Sequence, residues 1–312
     1  MSIVLIGDLS PAAYETWKVH LSQHLPADET LVLATEAPDK TAVDVALAAN
    51  PRWGELATFP NLRFVQSLWA GVDGMLGDPA LPWDMTLARL VDPAMAQSMT
   101  EGAITAVLYL HRQFPAYLRQ QVSHTWRQLP QPVAAHRKVG VLGFGKMGEP
   151  VARGLAGLGF TVSAWGLNPR AEASVDYSWG AAGLDRLLAK TEILVNLLPL
   201  TAATAGILNA ELFGRLPPSA ALVNLGRGGH LNDADLLDAL RTRHLSHAVL
   251  DVFHNEPLPA DHPFWAHPQV TVLPHVAAST DPQSAAPLAL QNVAAFRTGR
   301  PLTGVVSRSR GY

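Results

Sequence analysis

Three polar residues stand just beyond three apolar runs in the C-terminal half of the chain. Arg227 follows ALVNLG, Glu256 follows HAVLDVF and His275 follows VTVLP. Each run reads as a strand, and ligands of parallel sheets bind beyond the carboxyl ends of the strands. All three side chains therefore belong to one candidate cleft. The set suits a 2-oxo acid. An Arg fork grips a carboxylate through two parallel hydrogen bonds. A His can hand a proton to a carbonyl oxygen as hydride reaches its carbon. A Glu beside that His orients the ring and pairs with its charge. Taken singly, each residue has an ordinary explanation: the chain has 12 histidines, an Arg among glycines can cap a turn, and a Glu before Pro257 can be solvated.

A second constellation lies upstream, in KVGVLGFGKMGEPVARGLAGLGFTVSAWGLNPR, residues 138–170. Gly143, Gly145 and Gly148 form G-x-G-x-x-G where a strand pattern passes into a helical one. The first glycine permits the tight turn, the second lets backbone approach a pyrophosphate, and the third lets helix pack on strand. The pyrophosphate would sit on N–H groups at the helix start, beside Lys146 and Met147. An Asp or Glu at the end of the next strand would take a ribose 2′-OH and repel a 2′-phosphate. This chain has Trp165, Gly166, Leu167 and Asn168 there, then Arg170, with Glu172 and Asp176 farther on. An uncharged turn with a nearby Arg suits a 2′-phosphate, so the expected coenzyme is NADPH, with NADH the weaker alternative. The other reading makes Arg170 a solvated charge and the site indifferent to the phosphate.

The elements that must position these residues are legible as pattern. From Lys138 onward, strands are expected at 138–143, 160–165, 192–198, 220–225, 247–253 and 270–273, with helical stretches such as 233–243 between them. Such βαβ repetition implies a parallel sheet covered on both faces. Earlier, strands are expected at 3–7, 31–35, 62–67 and 85–90, while 44–50 fits strand or helix. Ser98 with Glu101 fits a capping box opening a long apolar helix. After Pro274 the alternation stops and 280–299 reads as one helix, with Pro282 in its first turn and Gly299 at its end. The fold class expected is α/β, two Rossmann-like domains.

Composition adds bounds. The chain of 312 residues is 48% hydrophobic and 16% charged with a net charge of −3, which favours neither nucleic acid nor an anionic membrane as partner. It has no cysteine, which removes disulfides and thiol chemistry. MSIVLIGDLS reads as a buried strand rather than a signal peptide, and no apolar run reaches membrane-spanning length. A cytoplasmic protein is expected.

The blocks LVNLGRGGHLNDADLLDAL, LDVFHNEPLPADHPFWAHPQV and TVLPHVAAST, with SLWAGVDGML upstream and RGY at the end, resemble the D-2-hydroxyacid dehydrogenase family, most closely its glyoxylate/hydroxypyruvate reductase A branch. The resemblance runs from about Val65 to the C-terminus. It implies that Arg227 holds the substrate carboxylate and keto oxygen, that His275 is the acid/base and that Glu256 is its partner. It implies that backbone N–H groups of Trp69, Ala70 and Gly71 also hold the carboxylate, and that Asp251 lies near the nicotinamide carboxamide. It implies a discontinuous substrate-binding domain, residues 1–99 with 281–312, and a dinucleotide-binding domain, 100–280. A homodimer is implied too, with contact through the cofactor domain around 101–132. Two features depart from the branch: Leu167 stands where an Arg is frequent, and Trp69 is bulky where a small residue is common.

The function expected is an NADPH-preferring reductase of small 2-oxo acids. Two alternatives stay open: an NAD-linked dehydrogenase for a larger D-2-hydroxy acid, and a non-catalytic dinucleotide sensor. The intact Arg227, Glu256 and His275 set speaks against the sensor.

Overall fold

A computed structural model describes residues 2–36, 39–170 and 173–311; Glu172 and Tyr312 of the terminal block lie outside the described residues. The chain divides into two compact units, Met1–Met95 with Thr280–Tyr312, and Ala96–Ser279.

The first unit holds five strands: β1 (Ser2–Gly7), β2 (Thr30–Leu33), β3 (Val43–Ala49), β4 (Phe64–Ser67) and β5 (Thr86–Ala88). They pair in the order β2-β1-β3-β4-β5, all parallel. The apolar run of β1 is buried throughout its middle, as expected for a sheet covered on both faces. The ambiguous stretch near 44–50 is strand β3, whose residues are nearly all buried. Helix α1 (Pro11–Ser22) starts where Ser10 accepts from Ala13 N–H at 3.2 Å, with proline in its first turn. The short helix α2 (Asp73–Leu76) follows β4. In chain order α3 (Pro93–His111) comes next. It does not start at Ser98, as the capping-box pattern suggests. It starts after Asp92, whose Oδ1 accepts from Ala94 N–H at 2.8 Å, so Ser98 and Glu101 lie inside the helix. A cap followed directly by proline is the stronger start signal, and the internal S-x-x-E is coincidental.

The second unit holds β6 (Lys138–Leu142), β7 (Thr161–Gly166), β8 (Asp176–Trp179), β9 (Ile193–Asn196), β10 (Ala220–Asn224), β11 (Leu245–Leu250) and β12 (Val270–Val272). Their order is β12-β11-β10-β9-β6-β7-β8, again all parallel. The sheet grows in opposite directions from β6, through β7 and from β9, so the switch point lies between β6 and β9. That is where such sheets bind ligands. Strand β8 has no counterpart among the expected strands: it is an edge strand without a clean burial pattern. The helices are α4 (Phe114–Val122), α5 (Gly148–Gly157), α6 (Gly180–Leu188), α7 (Ala210–Gly214) and α8 (Asp233–Arg241). Two apolar cores flank the sheet, one with Leu194, Leu222 and Leu250, the other with Val141, Val195 and Val249. Alternate residues of the same strands feed opposite cores, as the two-residue period of a strand requires.

The last helix, α9 (Pro282–Arg297), belongs to the first unit and is capped by Asp281, whose side chain accepts from Gln283 N–H at 3.0 Å. Its buried Asn292 donates to Gln66 Oε1 at 2.7 Å and to Thr303 O at 2.8 Å, tying the C-terminal tail to β4. Among the described residues no helix is long and apolar enough to cross a membrane.

Candidate active site

The glycine turn sits at the switch point. Gly143 leaves β6 with φ +92°, a left-handed conformation that disfavours any side chain, and its N–H donates to Trp165 O at 2.8 Å. A Cβ on Gly143 would stand 2.7 Å from Leu197 O, and one on Gly148 would stand 1.8 Å from Gly143 O. Both glycines are therefore demanded by backbone packing. Gly145 is different: a Cβ there would meet nothing within 4 Å. Its position is exposed, as is Lys146, while Met147 stands at the N-cap position of α5 without a side-chain cap bond. An open glycine before a helix N-terminus fits the close approach of a pyrophosphate. These residues thus fit a dinucleotide.

At the end of β7 the expected contacts separate. Trp165 is 3% exposed and its indole N–H donates to Gly180 O at 2.9 Å. Its side chain is core, and its carbonyl braces the Gly143 N–H of the glycine turn. Leu167, Asn168 and Arg170 are exposed. The Asn168 carbonyl accepts from the Tyr177 hydroxyl at 2.6 Å. Arg170 Nη1 meets Glu149 Oε2 at 3.0 Å, and its guanidinium lies 5.0 Å from the Phe144 ring centroid.

The three catalytic candidates follow three adjacent parallel strands, Arg227 after β10, Glu256 after β11 and His275 after β12. Glu256 and His275 touch: Glu256 Oε2 lies 2.7 Å from His275 Nδ1. The other oxygen, Glu256 Oε1, accepts from Phe253 N–H at 2.9 Å, which fixes the carboxylate. With Nδ1 against Glu256, the partly exposed ring has Nε2 as its remaining proton-transfer atom. His275 itself has φ +54°, a conformation uncommon outside glycine and held here by its neighbours.

Those neighbours are set by Asp251. It is 1% exposed at the end of β11, and its two oxygens accept from Val276 N–H at 2.8 Å and Ala277 N–H at 3.0 Å. Burial pushes its pKa above the usual carboxylate value, and the two N–H donors oppose that rise. Asp251 therefore clamps the backbone that follows His275.

Arg227 has φ and ψ of an extended residue, and its Nη1 donates to Gly226 O at 2.8 Å. A network beneath it escaped sequence reasoning. His230 Nδ1 accepts from Arg227 N–H at 3.1 Å and lies 3.0 Å from Asn196 Nδ2, which donates to Asn224 Oδ1 at 2.9 Å. Asn224 Nδ2 in turn donates to Arg227 O at 3.2 Å. All three partners are buried. The available signal was an Asn closing each of the runs LVN at 194–196 and 222–224. Gly228 presses on the backbone of Phe253, where a Cβ would stand 1.9 Å away. The Arg227 loop thus abuts the segment that fixes Glu256.

In the first unit, Trp69 follows β4. Its N–H donates inward to Ser67 Oγ at 3.0 Å, and its ring packs edge-on against buried Trp17 at 6.0 Å. That bond engages the Trp69 N–H which the resemblance assigns to the carboxylate. Ala70 and Gly71, both partly exposed, have N–H groups with no partner among the described residues.

Known proteins match this arrangement. The family model described as "D-isomer specific 2-hydroxyacid dehydrogenase, NAD binding domain" matches residues 104–277. A glyoxylate/hydroxypyruvate reductase A of Serratia proteamaculans is 41% identical over 303 residues, covering 96% of each chain. A D-isomer specific 2-hydroxyacid dehydrogenase of Xanthobacter autotrophicus, solved with NADPH and MES, superposes with a TM-score of 0.93 at 37% identity, over 100% of this chain and 99% of that one. An NADPH-dependent glyoxylate/hydroxypyruvate reductase of Sinorhizobium meliloti, solved with NADP and sulfate, gives 0.92 at 36% over the same shares. By sequence match, parallel-sheet topology and the ordered site blocks together, this chain belongs to the D-isomer specific 2-hydroxyacid dehydrogenase family.

Proposed function

We propose that the chain is an NADPH-preferring reductase of small 2-oxo acids of the glyoxylate and hydroxypyruvate type, yielding the D-2-hydroxy acid. The observation that carries this reading is the His275–Glu256 pair at 2.7 Å beyond the strands of a dinucleotide-type sheet. The relatives named for glyoxylate and hydroxypyruvate reduction, and those solved with NADPH or NADP, support the substrate class and the coenzyme.

When bound, the coenzyme supplies the hydride. The chain supplies the rest. Arg227 grips the substrate carboxylate and draws charge onto the keto oxygen. The resemblance assigns a carboxylate to the Ala70 and Gly71 N–H groups of the first unit as well. His275 Nε2 delivers the proton that the developing alkoxide requires, and Glu256 keeps Nδ1 protonated and the ring aligned. Asp251 fixes the backbone behind His275. Gly143, Gly145, Lys146, Met147 and Gly148 receive the pyrophosphate, and Arg170 with the Asn168 turn receives the adenosine ribose and its 2′-phosphate. In this reading the first unit is the substrate domain, the second the dinucleotide domain, and the enzyme works in the cytoplasm.

The same reading makes it a homodimer through segment 101–132, where Phe114, Leu118, Val122 and Trp126 are exposed. The test is direct. Purified protein, NADPH or NADH, and a panel from glyoxylate to phenylpyruvate are mixed and nicotinamide absorbance is followed. Faster turnover of glyoxylate or hydroxypyruvate with NADPH supports the proposal; preference for phenylpyruvate, or no turnover, overturns it.

A further inference from the structure

The end of β7 has no acid, and that absence favours a 2′-phosphate. The fold returns a carboxylate to the same place from another element. Glu149 lies in the first turn of α5, and its Oε2 is 3.0 Å from Arg170 Nη1. The guanidinium also stacks over Phe144, at 5.0 Å, inside the glycine turn. Phe144 in turn packs against Tyr177 at 5.3 Å, and the Tyr177 hydroxyl holds the Asn168 carbonyl. Arg170 is thus not a lone cation. Its position is set by an aromatic platform, and its charge is shared with a carboxylate.

We propose that Glu149 is a specificity-determining residue for the coenzyme: it competes with the 2′-phosphate for Arg170 and caps the preference for NADPH over NADH. This rests on the coenzyme reading above. The competition is physical in two ways. A phosphate that takes Arg170 must share or displace Glu149, and an anion beside the guanidinium also repels the phosphate directly. Both partners are about one-third exposed, 37% for Arg170 and 35% for Glu149, so water and salt weaken each effect. An exposed ion pair together with a screened repulsion amounts to a change of roughly three- to tenfold in affinity.

The experiment measures binding by calorimetry, with no 2-oxo acid present. Wild type, Glu149→Gln, Arg170→Ala and the double variant are titrated with 2′,5′-ADP and with 5′-ADP. Glu149→Gln preserves shape and removes the charge, so 2′,5′-ADP should tighten about three- to tenfold while 5′-ADP stays within about twofold. In the Arg170→Ala background the gain should shrink to the part that direct repulsion supplies, clearly below the gain seen with Arg170 present, because the competition for the guanidinium has lost its object. Raising the salt should shrink the gain. A variant that binds 2′,5′-ADP no better than wild type, or gains equally for both ligands, overturns the proposal. So does an undiminished gain without Arg170. A wild type that binds neither nucleotide overturns the dinucleotide site itself, an outcome separate from normal binding that ignores Glu149.

Discussion

Replacing Asp251 with Asn probes the placement of His275 without touching the proton-transfer atoms. In the native site both carboxylate oxygens accept N–H groups, from Val276 at 2.8 Å and Ala277 at 3.0 Å, and the side chain is 1% exposed. Asn preserves the shape but turns an NH₂ toward one of those donors. One charge-assisted bond, about 1.5–3 kcal/mol, is lost and the other becomes neutral. The buried charge disappears as well, which offsets the loss. The two effects oppose each other, and because burial outweighs the N–H bonds in raising the Asp251 pKa, little net loss of stability is expected at neutral pH. The kinetic effect should be larger than stability alone explains. Residues 276 and 277 follow His275, which holds φ +54° only while they are pinned. A shift of the ring by about 1 Å costs on the order of a hundredfold in rate, so kcat should fall about ten- to a hundredfold.

The pH dependence has a definite sign. Burial raises the pKa of Asp251 in the folded chain, against the opposition of Val276 and Ala277 N–H. A raised acid contributes stability that is fully present below its unfolded value, about 3.9, and is lost as pH rises through the folded value. Wild type should therefore lose stability relative to Asp251→Asn as pH climbs through that window. Steady-state rates with glyoxylate and NADPH, taken well below each melting temperature, and denaturant melts from acid to neutral pH check both parts. A variant with wild-type kcat would show that the clamp serves the fold alone. A stability gap independent of pH would refute the assignment of a costly buried charge.

Four further outcomes are expected. His275→Ala should lose about a hundred- to ten-thousand-fold in kcat yet bind NADPH normally in a titration, since the glycine turn is untouched. Glu256→Gln keeps the shape beside His275 but loses the charge, so kcat should fall roughly ten- to a hundredfold while the KM for NADPH stays within about twofold; an unchanged kcat would sink the pair as a unit. Arg170→Ala should weaken NADPH and leave NADH nearly unchanged in binding titrations, and equal losses would remove Arg170 from coenzyme selection. His247 is buried with Nε2 2.9 Å from Thr271 Oγ1, and burial lowers its pKa to about 4. Its contribution is fully present above about 6.5 and is lost as pH falls from there toward about 4, so acid melts of His247→Gln should lose less stability over this range than wild type.

Much of this protein is written locally. The glycine turn is legible because its three glycines fall at fixed spacing within six residues, where the close approach of Gly148 to the Gly143 carbonyl is itself a local demand. The strands before Arg227, Glu256 and His275 are legible because a strand buried on both faces must be a continuous apolar run. The strand order then follows from repeated crossovers, and the polar residue after each run falls at the same edge of the sheet. Where pattern fails, the cause is physical. Strand β8 is an edge strand whose half-exposed residues carry no period. The start of α3 is set by Asp92 and Pro93, so the plausible box at Ser98 and Glu101 has no role. The rest was decided only when distant segments met. Trp165 became core because Gly180 offered its indole a carbonyl, and Trp69 N–H turned inward because Ser67 lies two residues before it in the same bend. Asn196, Asn224 and His230 form one network because β9 and β10 are neighbours. Asp251 reaches Val276 and Glu149 reaches Arg170 across gaps of 25 and 21 positions in the chain. Hydrogen bonds and ion pairs act over about 3 Å, and a linear pattern does not encode which side chains the packed sheet brings that close.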